Sequence, residues 1–260
     1  MANRGFGVAG ALDHMIIEVL AREVEASGYE TFWVNDTPSG DGLAALAVAA
    51  AATDKIKLGV GVIPVDRRPA AEIATRVRAL DLPLDRLIIG VGSGRARKGG
   101  LSLVRSAARD LARDLAVPVI VGALGPRMCR LAGEDADGAL LNWLTPEMAR
   151  ATSERIRSAA AVNDRLSPFV AGYVRTALGE ASRSRLRDEA TRYERIPQYA
   201  RHFEAMGVSG VDTSIIGENR EALQAALRLF DATLNETVVR AITPEETAKY
   251  YVALARAAAP

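Results

Sequence analysis

Cysteine, histidine and aromatic residues are all scarce in this chain of 260 residues, and neither sign of charge prevails. A single cysteine, Cys129, excludes an internal disulfide and a zinc-thiolate cluster, and it reads as a half-buried helix residue. There are only two histidines. His14 stands beside Asp13, either in a helix-cap region or in a pocket, and His202 reads as a surface or packing residue of a helix. No HExxH or HxxE cluster offers metal ligands, so no metal is expected, and no GxSxG elbow offers a nucleophile. Lys and Arg number 33 against 32 Asp and Glu. Without a concentrated basic face, neither nucleic acid nor a membrane is an expected partner. Long hydrophobic runs are missing as well. The N-terminus MANRGFGVAGALDH has no secretion-signal core, and no window holds the roughly 20 apolar residues of a spanning helix, so a cytoplasmic protein is expected.

What is present is a rhythm. Nearly half of the residues, 49%, are hydrophobic, and they gather in short runs at 6–12, 30–35, 56–63, 86–92, 118–124, 138–144, 168–178 and 236–242. Most runs are apolar on successive residues, as in strands covered on both faces by helices. Helix-period stretches lie between and after them, at 13–27, 41–53, 70–82, 101–115, 126–136, 146–161, 219–233 and 244–258. Asp13 is placed to cap the first. Thr145-Pro146 and Thr243-Pro244 each set a capping residue before a proline at the first helical position. Eight strand–helix units predict an α/β chain closed as a (β/α)8 TIM barrel rather than an open doubly wound sheet; the one early GxGxxG spacing, Gly5 to Gly10, falls within the first apolar run and not in a turn after it. One stretch breaks the rhythm. Residues 180–207 form an extra helical insertion between the seventh and eighth strands, expected to break before Pro197 and to build part of the rim, as a lid, a dimer surface or both. No linker or repeat divides the chain, so a single domain over 1–260 is expected.

In such a barrel the pocket lies at the C-terminal ends of the strands. Gly92-Ser93-Gly94-Arg95 follows the fourth strand; glycines let an anion approach the backbone, although a plain turn explains these residues equally well. Gly122-Ala123-Leu124 bring little bulk, and Gly125-Pro126 opens a helix whose free N–H groups would face the same space, with Arg127 and Met128 following. Taken together, these residues are expected to form an anion site. Gly61-Val62-Ile63-Pro64 would offer a flat apolar shelf to a planar ring, or merely end a core strand. With few acid–base groups beside a phosphate cradle, a cofactor would carry the chemistry.

The stretch ALGPRMCRLAGEDADGALLNWLTPE (123–147) resembles the bacterial luciferase-like monooxygenase superfamily, and within it the branch dependent on coenzyme F420, a deazaflavin. Supporting stretches are LAREVEASGYETFWVND, KIKLGVGVIPVDRRPAAEIA, RLIIGVGSG and ETVVRAITPEETAKYY, so the likeness covers nearly the whole chain. The resemblance implies a TIM barrel with a flavin or deazaflavin ring at its mouth. It implies a phosphate on the backbone of Gly122 to Met128 near Ser93 and Gly94. Asn142 and Trp143, at the end of the next strand, would flank the same space from the side, although plain packing explains Trp143 equally well. The resemblance also implies a non-proline cis peptide at Gly61-Val62, backing the ring.

The chain departs from the family pattern in two places. Where sugar-phosphate and alcohol-oxidising relatives have histidine after the aspartate of strand two, this chain has Thr37 after Asp36. Where sugar-phosphate relatives have glutamate after the Gly-x-Gly loop, it has Arg95, and the segment that follows is short. Oxidation of alcohols or sugar phosphates is therefore in doubt. A polyglutamate tail along Arg95, Arg97 and Lys98 favours F420 over FMN. The expectation is an F420-dependent oxidoreductase passing a hydride between deazaflavin and a small organic substrate, with Asp36, Asn142 and Arg175 as candidate catalytic groups. The alternatives are an FMN-dependent monooxygenase and a non-catalytic flavin-binding protein. A homodimer is the expected assembly.

Overall fold

In the computed structural model, which describes residues 3–96 and 98–260, parallel strands alternate with helices. The strands are β1 (Arg4–Ala9), β2 (Thr31–Asn35), β3 (Lys57–Pro64), β4 (Leu87–Gly92), β5 (Val119–Gly122), β6 (Gly138–Asn142), β7 (Phe169–Leu178), β8 (Ile215–Gly217) and β9 (Glu236–Ile242). The helices are α1 (His14–Ala26), α2 (Gly42–Ala52), α3 (Ala70–Ala79), α4 (Gly100–Leu115), α5 (Pro126–Asp135), α6 (Pro146–Val162), α7 (Arg183–Glu194), α8 (Pro197–Met206), α9 (Arg220–Asp231) and α10 (Ala248–Ala257). Strands β1 to β7 pair in chain order, and β9 closes the ring between β7 and β1. This is the expected eight-stranded parallel barrel. No helix among the described residues is long and apolar enough to cross a membrane.

Alternation along each strand explains the near-continuous apolar runs. Phe6, Val8, Phe32, Val34, Leu58 and Val60 point outward into the layer under the helices. Trp33, Ile88, Ile120, Leu140, Ala171, Tyr173 and Val238 point inward and fill the barrel. The two large rings need close neighbours without side chains. A Cβ on Gly59 would lie 2.3 Å from Trp33, and one on Gly61 would lie 2.6 Å from the Tyr173 hydroxyl.

The insertion breaks before Pro197 as expected, giving α7 and α8. Strand β8 is an addition that the sequence pattern does not show. β6 pairs with β7 only as far as Tyr173, and β8 continues along that edge at Thr176–Leu178. The last helix is a correction. Thr145 caps α6 by accepting from the Met148 N–H at 3.3 Å, but Thr243 donates to the Glu245 carbonyl at 2.8 Å. That bond folds 244–247 into a bend, and α10 begins only at Ala248. Cys129 is fully rather than half buried, and burial pushes its thiol up to about 11.

Candidate active site

The C-terminal ends of the strands open on a cavity of about 260 Å3. Of the residues singled out in the sequence, Asp36, Gly61, Val62, Gly92, Ser93, Gly94, Gly122, Ala123, Leu124 and Asn142 line it. A second cavity of about 570 Å3 shares Ser93, Gly122 and Leu124 and extends to Gly125, Pro126 and Met128, with α8 as its far wall. Arg127 lies in the outer groove between α5 and α6. Arg95, Trp143 and Arg175 line neither cavity. Arg97 lies outside the described residues.

The shelf at the end of β3 is a bulge. Pairing with β4 slips between Val60 and Ile63, and the Gly61–Val62 peptide is cis, as the resemblance implies. Opposite it, Gly125, Pro126 and Arg127 are exposed at the start of α5. No side chain caps that helix. Among the described residues the N–H groups of Leu124, Gly125 and Arg127 meet no acceptor, whereas the Met128 N–H turns back to the Gly125 carbonyl at 3.0 Å. The loop across the cleft is held by Asp66, which accepts from the Arg95 N–H at 2.7 Å.

The three candidate catalytic groups are already engaged. Asp36 accepts from the Gly42 N–H at 2.9 Å and from Arg67, and Arg68 stands 3.8 Å away. Its carboxylate joins the loops after β2 and β3. Arg175 and Arg240 sit opposite each other in register, both facing the barrel interior, so two guanidiniums share one buried space. Glu189 of α7 answers them: it accepts from Arg175 Nε at 3.0 Å. Burial would raise its carboxyl, but the charges of Arg240 and Arg175 outweigh burial and hold it below the usual range. Arg175 also donates to Asn142 and stacks over the Trp143 ring at 3.8 Å. These contacts pin the insertion to the barrel, with Trp143, Ala190 and Phe203 as its own apolar cluster.

Of the two histidines, His202 faces the second cavity, and its Nε2 donates to the Trp143 carbonyl at 2.8 Å. Burial lowers its pKa, against the backbone carbonyls of Trp143 and Asn142, which raise it. His14 is exposed at the start of α1 and lines neither cavity. Sequence reasoning passed over Tyr173, Tyr193, Gln198 and Tyr199, which all line the mouth. For Tyr173 a signal existed: it is the one hydroxyl-bearing ring on the inward face of β7. The other three come from the insertion, where no strand rule assigns a direction. Among the described residues no three His, Cys, Asp or Glu side chains are grouped to hold a metal ion. The mouth thus presents backbone donors, a flat shelf and tyrosine hydroxyls, with its one carboxylate tied down.

The sequence model of a family described as luciferase-like monooxygenase matches residues 16–101 and 101–259. Over 175 residues the chain is 27% identical to the 5,10-methylenetetrahydromethanopterin reductase of Methanolobus tindarius, an alignment covering 54% of this chain and 54% of that protein. The chain therefore spans about half the length of this relative. Among solved structures, an F420-dependent secondary alcohol dehydrogenase in complex with an F420-acetone adduct superposes with a TM-score of 0.80 at 16% identity, over 99% of both chains. The coenzyme F420-dependent tetrahydromethanopterin reductase of Methanopyrus kandleri follows with 0.72 at 18% identity, covering 97% of this chain and 96% of that one. The oxygenating constituent of 3,6-diketocamphane monooxygenase from Pseudomonas putida, in complex with FMN, gives 0.73 at 13%, covering 98% and 96%. At these identities the superpositions show a shared fold, not a shared substrate.

Proposed function

The chain belongs to the luciferase-like monooxygenase family, and from that premise we propose that it is an oxidoreductase that uses coenzyme F420 to act on a small organic substrate. The observation that carries the proposal is the start of α5. The N–H groups of Leu124, Gly125 and Arg127 lack acceptors among the described residues, and Ser93 lines both cavities that they border. Helix N-termini of this kind favour a phosphate through free donors and the helix dipole. The Gly61–Val62 shelf suits a flat ring beside them.

Bound there, the deazaflavin would supply the hydride chemistry. The protein's own residues bind and orient. The backbone at 124–127 and Ser93 would hold the phosphate, Gly61 and Val62 would support the ring, and Tyr193, Gln198 and Tyr199 on the insertion would keep water from one side. The grooves beyond α5 favour F420 over FMN. Arg155 and Arg201 border the inner groove and Arg127 and Arg155 the outer, and among the described residues none of these three pairs with a carboxylate. A polyanionic tail would have cations to follow there; a single phosphate ester would not need them.

Equilibrium titration with F420 and with FMN, each oxidised and reduced, is the test. Micromolar F420 binding, tighter than FMN, is expected. Binding of FMN alone would move the reading to a flavin monooxygenase, and binding of neither would remove it.

A further inference from the structure

Tyr173 crosses the barrel from β7 toward the shelf on β3, with its ring edge-on to Trp33 at a centroid distance of 6.3 Å. The residue is only 4% exposed, and its hydroxyl meets no hydrogen-bond partner among the described residues. Several inward polar groups around it are engaged elsewhere. Trp33 Nε1 donates to Glu236, Asn142 accepts from Arg175, and Asn35 accepts from Arg240. Leu140, its neighbour beneath Gly61, is apolar. Yet the residue borders the cavity at the mouth. Buried hydroxyls are nearly always paired, and leaving one unpaired is unfavourable. The Tyr173 hydroxyl lies against Gly61 of the shelf, the side from which a partner seated in the cavity would reach it.

We infer that Tyr173 is a binding residue for the cofactor ring: its hydroxyl donates a hydrogen bond to an acceptor atom of that ring, such as a carbonyl oxygen. The inference rests on the proposed cofactor function but not on the choice between F420 and FMN, since both rings carry carbonyl oxygens. Two features make the hydroxyl a donor. Burial drives its pKa upward, so it keeps its proton at neutral pH. After burial, the charges of Arg240 and Arg175 act on it more strongly than that of Glu236, an environment that favours an electron-rich partner.

The test is Tyr173→Phe, which removes the hydroxyl and little else. The dissociation constant of oxidised F420 or FMN, whichever the wild type binds, should rise about tenfold, as for one lost hydrogen bond. The visible absorption band of the bound ring should shift. The ligand-free protein should melt at or above the wild-type temperature, because the variant no longer buries an unpaired hydroxyl. Affinity within twofold of wild type would overturn the inference while leaving the cofactor reading intact. A ligand-free melting temperature several degrees lower would also overturn it, by showing that the hydroxyl serves the fold. Wild-type protein that binds neither cofactor would remove the functional reading and this inference together.

Discussion

At the N-terminal end of the barrel, Glu236 accepts from Trp33 Nε1 at 2.6 Å and from Thr31 Oγ1 at 2.8 Å, so both carboxyl oxygens are satisfied inside the fold. At the C-terminal end, the Tyr173 hydroxyl and the N–H groups of Leu124, Gly125 and Arg127 have no partner among the described residues. The two ends belong to the same sheet and are built from the same alternation, so the difference does not come from the architecture. It lies in where polar atoms are directed. One end ties its carboxylate down internally and serves stability, although the Thr237 hydroxyl there has no partner among the described residues; the other leaves donors for something that enters. Substitutions at the floor should therefore move stability with little effect on binding, and those at the mouth the reverse.

Arg175 gives the largest expected effect and tests the limits of that division. It lies at the mouth but behaves as a structural group, joining Glu189, Asn142 and Trp143. Arg175→Ala would leave Glu189 buried with its closest cation gone, a loss of about 4 kcal/mol in unfolding free energy by denaturant titration. A loss under about 1 kcal/mol would mean that the insertion is held elsewhere.

Glu236 comes second. Burial raises its carboxyl from 4.5 to about 7 in the fold. The folded state then holds the proton more tightly than the unfolded chain. The stabilising contribution is complete below pH 4.5 and is lost as pH climbs through 7, on the order of 3 kcal/mol in all. Glu236→Gln should flatten this dependence, matching wild type near pH 5 and exceeding its stability at pH 8, with cofactor affinity unchanged. A variant with the wild-type pH profile would show that the carboxyl titrates alike in the folded and unfolded chain.

The smallest effect is expected in the outer groove. Arg155→Glu should weaken F420 by about fivefold and FMN by less than twofold, since an exposed charge contributes little beyond its immediate partner. Equal weakening of both would place the tail away from this groove and sharpen the contrast around the phosphate alone.

Much of the barrel was legible because its strands are apolar on successive residues, and that pattern survives without knowing which face is inward. The start of α5 was legible because Gly125-Pro126 combines an uncapped turn with a residue that needs no N–H. The rest failed for identifiable reasons. Three residues of β8 are too few to show a period. Thr243-Pro244 looks like Thr145-Pro146 in sequence, and only the direction of the threonine hydroxyl separates them. Asp36 was singled out as reactive because its partners, Arg67 and Arg68, lie some thirty positions away across the fold. Tyr173 stands within an apolar run as its one hydroxyl-bearing ring, a signal that can be read only once the inward face of the strand is known.

The two tryptophans of the chain are divided between these ends. Trp33 lies in the barrel floor against Gly59, and Trp143 lies beneath the insertion with a guanidinium on its face and the Tyr193 ring at 4.9 Å. Each end therefore carries its own optical reporter. Motion of α7 or α8 would alter the fluorescence of Trp143 while Trp33 stayed silent, and Trp33→Phe would leave a single emitter reporting on how firmly the rim is seated.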